Sequence, residues 1–341
     1  MRVAAIVFGL LIALRFLWIA HAIFIVTFLG ILLGLAVSRA ADFLERVRIP
    51  RSVGAPLVVV VGIALMVTIG VALAPSLRTQ VGQLATELPK LVDEAERWLQ
   101  TTPAKGLVDG PQKQQDGLRA QLTKELRGSF RFLFPIVSSV FGAIGGLVLI
   151  LFIAMYVGAE PGLYREGILH LVPHNHRKRV REVIETLGVT LRRWLVSRLI
   201  AMVVVGVITG VTLALLNVKG AAALGVLAGL LEFIPFFGPI ASAIPAIGVA
   251  LLDSPQKALY VVVFYFVMQQ LEGNVLTPLL LEKRLDIPPV LTVVTVAALG
   301  IVFGVIGMLI AEPLLAAVLV TTKMLYVTDV VGDEVKVGKE E

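Results

Sequence analysis

Residues 220–252 read GAAALGVLAGLLEFIPFFGPIASAIPAIGVALL, with Glu232 as their one charged side chain. A helix needs about 20 apolar residues to cross a hydrocarbon core about 30 Å thick, and this run exceeds that length. It cannot be one straight helix. Pro235, Gly238 and Pro239 fall within five positions, and each proline lacks an N–H and clashes with the preceding turn. The stretch therefore predicts two short helices folded as a hairpin around Ile234–Pro239. Two readings of the break are open: a turn at the membrane surface with Glu232 wetted, or an intramembrane break whose freed carbonyls meet protein, water or a solute.

The whole chain has the same character. Of 341 residues, 57% are hydrophobic and 16% charged, and the mean hydropathy is +0.92. A water-soluble fold of that composition would expose apolar patches that soluble monomers rarely carry. Disorder needs the opposite balance. With no cysteine, disulfides, thiolate metal sites and cysteine nucleophiles are excluded. The net charge of +6 fits basic cytoplasmic loops near anionic headgroups better than nucleic acid.

Uncharged runs at 55–74, 132–159 and 199–218 are long enough to span. Runs 4–19 and 22–37 are each marginal, and predict two short helices or one long tilted one. Arg2 and Ala20-His21-Ala22 mimic a signal peptide, but Arg15 interrupts the run and a second apolar stretch follows at once, so a retained helix is expected. Run 258–271 is short, and 287–322 carries Glu312 and mid-run glycines. Basic clusters at 39–54, 164–193 and 283–284 face the cytoplasm together if 55–74 leads out and 132–159 leads back. The fold expected is all-α and polytopic, with about seven to eight hydrophobic segments, some re-entrant or broken. Its divisions are N-terminal membrane helices (1–74), an extracytoplasmic amphipathic layer (75–131), a membrane helix with a basic cytoplasmic loop (132–198), a C-terminal core with two broken hairpins (199–325) and a cytoplasmic tail (326–341). In the outer layer Val81, Leu84, Leu88, Leu91, Ala95 and Trp98 recur at steps of three and four, as on one helix face.

Ionisable groups and backbone breaks inside a membrane are costly and invite a functional reading. Besides Glu232, Pro235, Gly238 and Pro239, a second cluster is Gln270, Glu272 and Asn274, ending at Pro278. Its amides and carboxylate suit a polar solute or a cation, or a simple helix cap. Glu312 needs a cation partner or a proton. Small-xxx-small spacings at Gly206/Gly210, Gly225/Gly229 and Gly300/Gly304, with Gly307 following, predict close helix packing. His170, His174 and His176 lie among cations in a spacing that predicts no metal site. No cofactor is expected. Paired interrupted segments point to a transporter's binding site. A passive pore and a membrane scaffold are the alternatives, and no nucleophile–base pair suggests an enzyme. No nucleotide-binding motif appears, so an ion gradient is the expected drive.

Glu232-x-Ile234-Pro235-x-x-Gly238-Pro239, then Gln270-x-Glu272-x-Asn274-x-x-x-Pro278, then Gly304-x-x-Gly307 and Pro313, resemble the autoinducer-2 exporter family of PerM-type permeases. The resemblance covers roughly residues 5–325. It implies a homo-oligomeric, multi-pass inner-membrane protein with lipid around it. The implied activity is export of a small furanosyl signal or, in some members, Na⁺(Li⁺)/H⁺ antiport. Glu282 and Glu312 stand where the family usually shows a small and an apolar residue, which turns the substrate question towards cations.

Overall fold

The computed structural model describes residues 2–72, 75, 76, 79, 144–276, 279 and 287–333, with side chains before Ile19 given only at Phe8 and Arg15. The outer amphipathic layer, Pro278 and Glu282 lie outside the described residues, apart from three positions of that layer. The described chain is helical, and no strand occurs in it.

Helix α1 (Arg2–Arg46) is a single helix, so the first two marginal runs form one long element. It is followed by α2 (Arg51–Ala72), α3 (Ile144–Ala159), α4 (Pro161–His170) and α5 (Arg177–Leu215). Then come α6 (Ala221–Leu231), α7 (Phe237–Leu251), α8 (Pro255–Leu271) and α9 (Pro289–Thr322). Five of the described helices are long and apolar enough to cross a membrane, or six if the bent pair α3–α4 counts as one span. Helices α6 and α7 are apolar but short, about 16 and 22 Å at 1.5 Å per residue. The chain is thus an all-α polytopic membrane protein with a broken hairpin.

Two compact units divide it. One comprises 1–64, 143–195 and 287–341; the other comprises 65–142 and 196–286. Helix α5 runs through both.

In the first unit α1 and α3 lie parallel along a glycine seam. A Cβ on Gly30 would come within 2.6 Å of Ile153, and one on Gly158 within 2.6 Å of Val37. With no Cβ in the way, the backbones approach closely, which is how helices gain contact when lipid offers no hydrophobic drive. Next to this seam Val37, Ala41, Ala55, Val59 and Ala154 form a buried cluster that includes the start of α2. Arg51 closes the turn, 2.8 Å from Asp42 and donating to Ser38 Oγ at 2.8 Å. Helix α9 is not straight. Gly304 has φ 64° and ψ −148°, and a Cβ on Gly300 would meet Met308 at 2.6 Å. Eight residues of straight helix would separate those positions by about 12 Å. The chain therefore doubles back at Gly304, as a hairpin over 287–322 requires. Phe303, beside the turn, stacks on His21 with ring centroids 5.0 Å apart.

The basic stretch 164–193 is not a loop, as expected, but is largely helical. After α4 it makes a short 3₁₀ turn at His174–His176 and then enters α5. Arg179 also holds the chain's far end. Its guanidinium donates to both carboxylate oxygens of Asp329, at 2.9 and 2.8 Å, and to the carbonyl of Met324 at 2.8 Å. Residues 323–331 are consequently an ordered π-helical extension of α9.

In the second unit, residues 196–215 of α5 pack with α6, α7 and α8. Leu213, Leu224, Ala246, Val249, Ala250 and Val261 form its core. One end is closed by polar groups. Lys257 Nζ donates to Asp253 at 2.9 Å and to the Asn217 carbonyl at 3.1 Å, with Lys219 3.6 Å from Asp253. The hydrogen bond from Lys257 is the largest cause that holds the Asp253 carboxyl below the usual carboxylate range; burial opposes it, and the charges of Lys257 and then Lys219 add to the lowering. A depressed folded pKa contributes stability above the unfolded value of about 3.9, and this is lost as pH falls through the folded value. Asp253→Asn should therefore lower the unfolding free energy at pH 7 by the worth of a partly exposed pair, about 1 kcal/mol or less. The gap from the parent should close as the pH drops below about 4. A gap of constant size across the acid range would remove the pair as its cause.

Candidate functional site

The site forms where α6 ends. Gly206 and Gly210 on α5 face Gly225 and Gly229 on α6. A Cβ on Gly225 would stand 2.5 Å from Gly210 Cα, and one on Gly229 2.6 Å from the Met202 carbonyl. This contact brings the face of α6 that carries Glu232 onto the stripe of α5 that carries Arg198, Met202, Val205 and Thr209. Glu232 ends α6 and is fully buried. Its Oε1 lies 3.5 Å from Nη1 of Arg198, and Arg198 Nε donates to the Phe233 carbonyl at 3.3 Å. One guanidinium thus serves both the carboxylate and a carbonyl freed by the end of the helix. Its Nη2 is buried without a hydrogen-bond acceptor among the described residues.

The five residues after Leu231 turn the chain through a strained conformation. Phe237 N–H donates to the Pro235 carbonyl at 2.7 Å, and Phe236 between them has φ 64° and ψ −43°. This is a γ-turn of the rare, strained hand. Such a backbone costs about 1–3 kcal/mol, and it persists only where the surroundings over-determine it. Here they do. Gly238 N–H donates to the Ile234 carbonyl at 2.8 Å, and Gly238 lies so close to the Leu231 carbonyl that no Cβ fits. Pro239 sits in the first turn of α7, where its missing N–H has no partner to lose. Its carbonyl accepts from Ser242 Oγ at 3.0 Å. Tyr265 on α8 donates its hydroxyl to the Ser242 carbonyl at 3.2 Å. That bond sets the register of the α7–α8 hairpin, so the start of α7 and the end of α8 lie at the same end.

Glu272 follows α8 at that end. It is buried and opens a π-helical turn, Glu272–Leu276, an irregularity that recurs at functional sites. Gln270 and Asn274 are exposed, and the Asn274 amide donates back to the Gln270 carbonyl at 2.9 Å. Here the two amides and the carboxylate point different ways. Glu312 belongs to the other unit, half-buried on the arm of α9 after Gly304 and next to buried Pro313. The structure thus brings Glu232, Pro235, Gly238 and Pro239 together and sets Glu272 at the same end of the unit; Glu312 is a residue of the other unit. Among the described residues no group of three His, Asp or Glu side chains is arranged to hold a metal.

Sequence reasoning missed Arg198, Ser242, Tyr265 and Thr209. Thr209 is fully buried, and its hydroxyl has no hydrogen-bond partner among the described residues. The available signal was the stripe Arg198, Met202, Val205, Thr209 at steps of four, three and four. It begins at the last charge before the apolar run of α5. The glycine seam of α1 with α3 was also legible, as Gly30-x-x-x-Gly34.

Broken apolar helices around a buried charge pair are the arrangement expected of a membrane transport protein. A family profile described as AI-2E family transporter matches residues 6–326, and the chain belongs to that family. It is 26% identical over 309 residues to YrrI of Bacillus subtilis (strain 168), covering 86% of this chain and 84% of that one. It is 25% identical to YueF of the same organism, over 80% of this chain and 76% of that one. It is also similar to the AI-2 transport protein TqsA of Escherichia coli (strain K12), at 26% identity over 49% of this chain and 47% of TqsA.

Proposed function

We propose that this protein is an ion-gradient-driven secondary transporter of the inner membrane that exports a small polar solute past the broken end of its α6–α7 hairpin. The observation that carries the reading is Glu232, fully buried at a strained break and 3.5 Å from Arg198. A buried carboxylate and guanidinium need each other in low dielectric. A solute with hydroxyl or carbonyl groups can exchange for either partner through hydrogen bonds, and such exchange would alternate the exposure of the site. Arg198 Nη2 supplies a donor, and the turn after Glu232 supplies carbonyls. Pro235, Gly238 and Pro239 hold the break. Because TqsA is named for AI-2 transport, that furanosyl signal is the first solute to test.

Cation antiport is the second reading, supported by two buried carboxylates, Glu232 and Glu272, at one end of the same unit. Arg198 weighs against it at Glu232, because its guanidinium already stands where a bound cation would. Glu272 is the better cation candidate. The two readings separate in proteoliposomes loaded with a pH-sensitive dye. If labelled AI-2 accumulates uphill under an imposed proton gradient, and Glu232→Gln, shown to be folded, lowers that flux at least about tenfold, roughly 1.4 kcal/mol, the solute reading stands. Proton movement driven by Na⁺ or Li⁺ and abolished by Glu272→Gln would replace it with antiport. Downhill flux alone would remove the ion coupling, and single-channel currents would then mark the protein as a pore.

A further inference from the structure

Helix α3 ends at Ala159, and α4 leaves it after one residue at an angle of 88°. Read as a crossing helix followed by a perpendicular one, rather than as one bent span, the pair places α4 along the membrane surface. Its two faces differ. The inward face docks on the start of α5. Glu166 accepts from both terminal nitrogens of Arg181 at 2.8 and 3.1 Å, Arg165 donates to Glu185 at 3.2 Å, and Leu169 is buried. The other face is apolar and bare. Leu163, Tyr164 and Ile168 are exposed there at 63%, 42% and 50%, and Leu171, just past the helix, at 87%. At 100° per residue these four fall within one arc of less than half the helix circumference.

The turn that follows carries the cations left for a headgroup. Arg165, Arg179 and Arg181 are paired with Glu185, Asp329 and Glu166, and Arg177 and Lys178 have no carboxylate partner among the described residues. Lys178, His174 and His176 are exposed in the turn after α4 and at the start of α5, and Arg177 braces that turn by donating to the Val172 carbonyl at 3.0 Å. Exposed leucine and isoleucine next to positive charge, on a helix perpendicular to a spanning one, match the chemistry of an anionic lipid surface.

We propose that residues 161–171 are an interfacial anchor. The helix lies in the headgroup layer of the cytoplasmic leaflet, with Leu163, Tyr164, Ile168 and Leu171 at the acyl boundary and anionic lipid as the partner of the flanking cations. The salt bridges to Arg181 and Glu185 then tie the first turns of α5 to the bilayer surface. This assignment is independent of what the protein transports.

The chain has no cysteine, so single-cysteine variants of the full protein carry one spin label each. Leu163→Cys, Ile168→Cys and Lys178→Cys would be labelled and reconstituted in phosphatidylcholine alone and in phosphatidylcholine mixed with phosphatidylglycerol. Labels at 163 and 168 should lie about 5–10 Å below the phosphates, open to oxygen and several-fold less accessible to an aqueous nickel chelate than the label at 178. The shielding should increase with phosphatidylglycerol. Equal nickel access at all three positions overturns the anchor. Shielding that ignores phosphatidylglycerol overturns the anionic partner. Spin–spin broadening at Ile168→Cys would assign the face to a second copy of this chain instead.

Discussion

Arg198→Met is expected to lower the stability of the folded protein by roughly 3–5 kcal/mol, the cost of stranding one member of a buried ion pair. Glu232 is fully buried, and the guanidinium lies 3.5 Å away. Removing Arg198 takes away the opposite charge and also the donor to the Phe233 carbonyl. The double variant Arg198→Met/Glu232→Leu should recover most of the loss, because a buried pair replaced by apolar groups is often neutral. Denaturant unfolding in nanodiscs, run as a double-mutant cycle, measures the coupling directly. If the losses of the two single variants simply add, the pair is not an energetic unit. The recovered double variant then tests function without the confusion of misfolding. It should be folded and unable to transport, since both exchangeable partners are gone.

Gly238→Ala should be the most damaging small change in the α6–α7 hairpin. The new Cβ would be driven into the Leu231 carbonyl, which is backbone and cannot rotate away. The Gly238 N–H is also committed to the Ile234 carbonyl at 2.8 Å. Overpacking commonly costs about 1–3 kcal/mol, and a backbone obstacle places this variant at the upper end. Gly273→Ala is the control, because a Cβ there meets nothing within 4 Å. Melting temperatures of the two variants in the same detergent decide the matter. Equal values would mean that the break is not held by close backbone contact. If Gly238→Ala folds but loses transport, the geometry of the break matters beyond stability.

The break itself was readable because its cause is local. Proline without an N–H and glycine without a Cβ act on their immediate neighbours, so Ile234–Pro239 announced its turn from composition alone. The doubling-back of 287–322 was legible for the same reason, through glycines in the middle of an apolar run. The first 38 residues were ambiguous. Arg15 and the short apolar runs allowed two helices, and only the continuous hydrogen bonding of α1 made them one. The basic stretch 164–193 misled because charge density reads as loop. There Glu166–Arg181 and Arg165–Glu185 join residues 15 and 20 apart, and pairing over that distance turns charged residues into a docked helix.

The charge partner of Glu232 was beyond such reasoning. Arg198 lies 34 positions away and looked like the ordinary end of a basic segment. The contact depends on four glycines letting α5 and α6 touch, which sets the rotation of one helix against the other. Periodicity shows which residues share a face but not which face of which helix it meets. The sequence by itself therefore determined that this is an all-α membrane protein with a broken hairpin bearing a carboxylate, because proline geometry, hydropathy and span length are local properties. Only the tertiary structure decided that the carboxylate sits against a guanidinium, that Gln270 and Asn274 point away from Glu272, and that Glu312 belongs to another unit. Those facts depend on long-range packing of backbones at glycine contacts, for which no short stretch of chain carries the information.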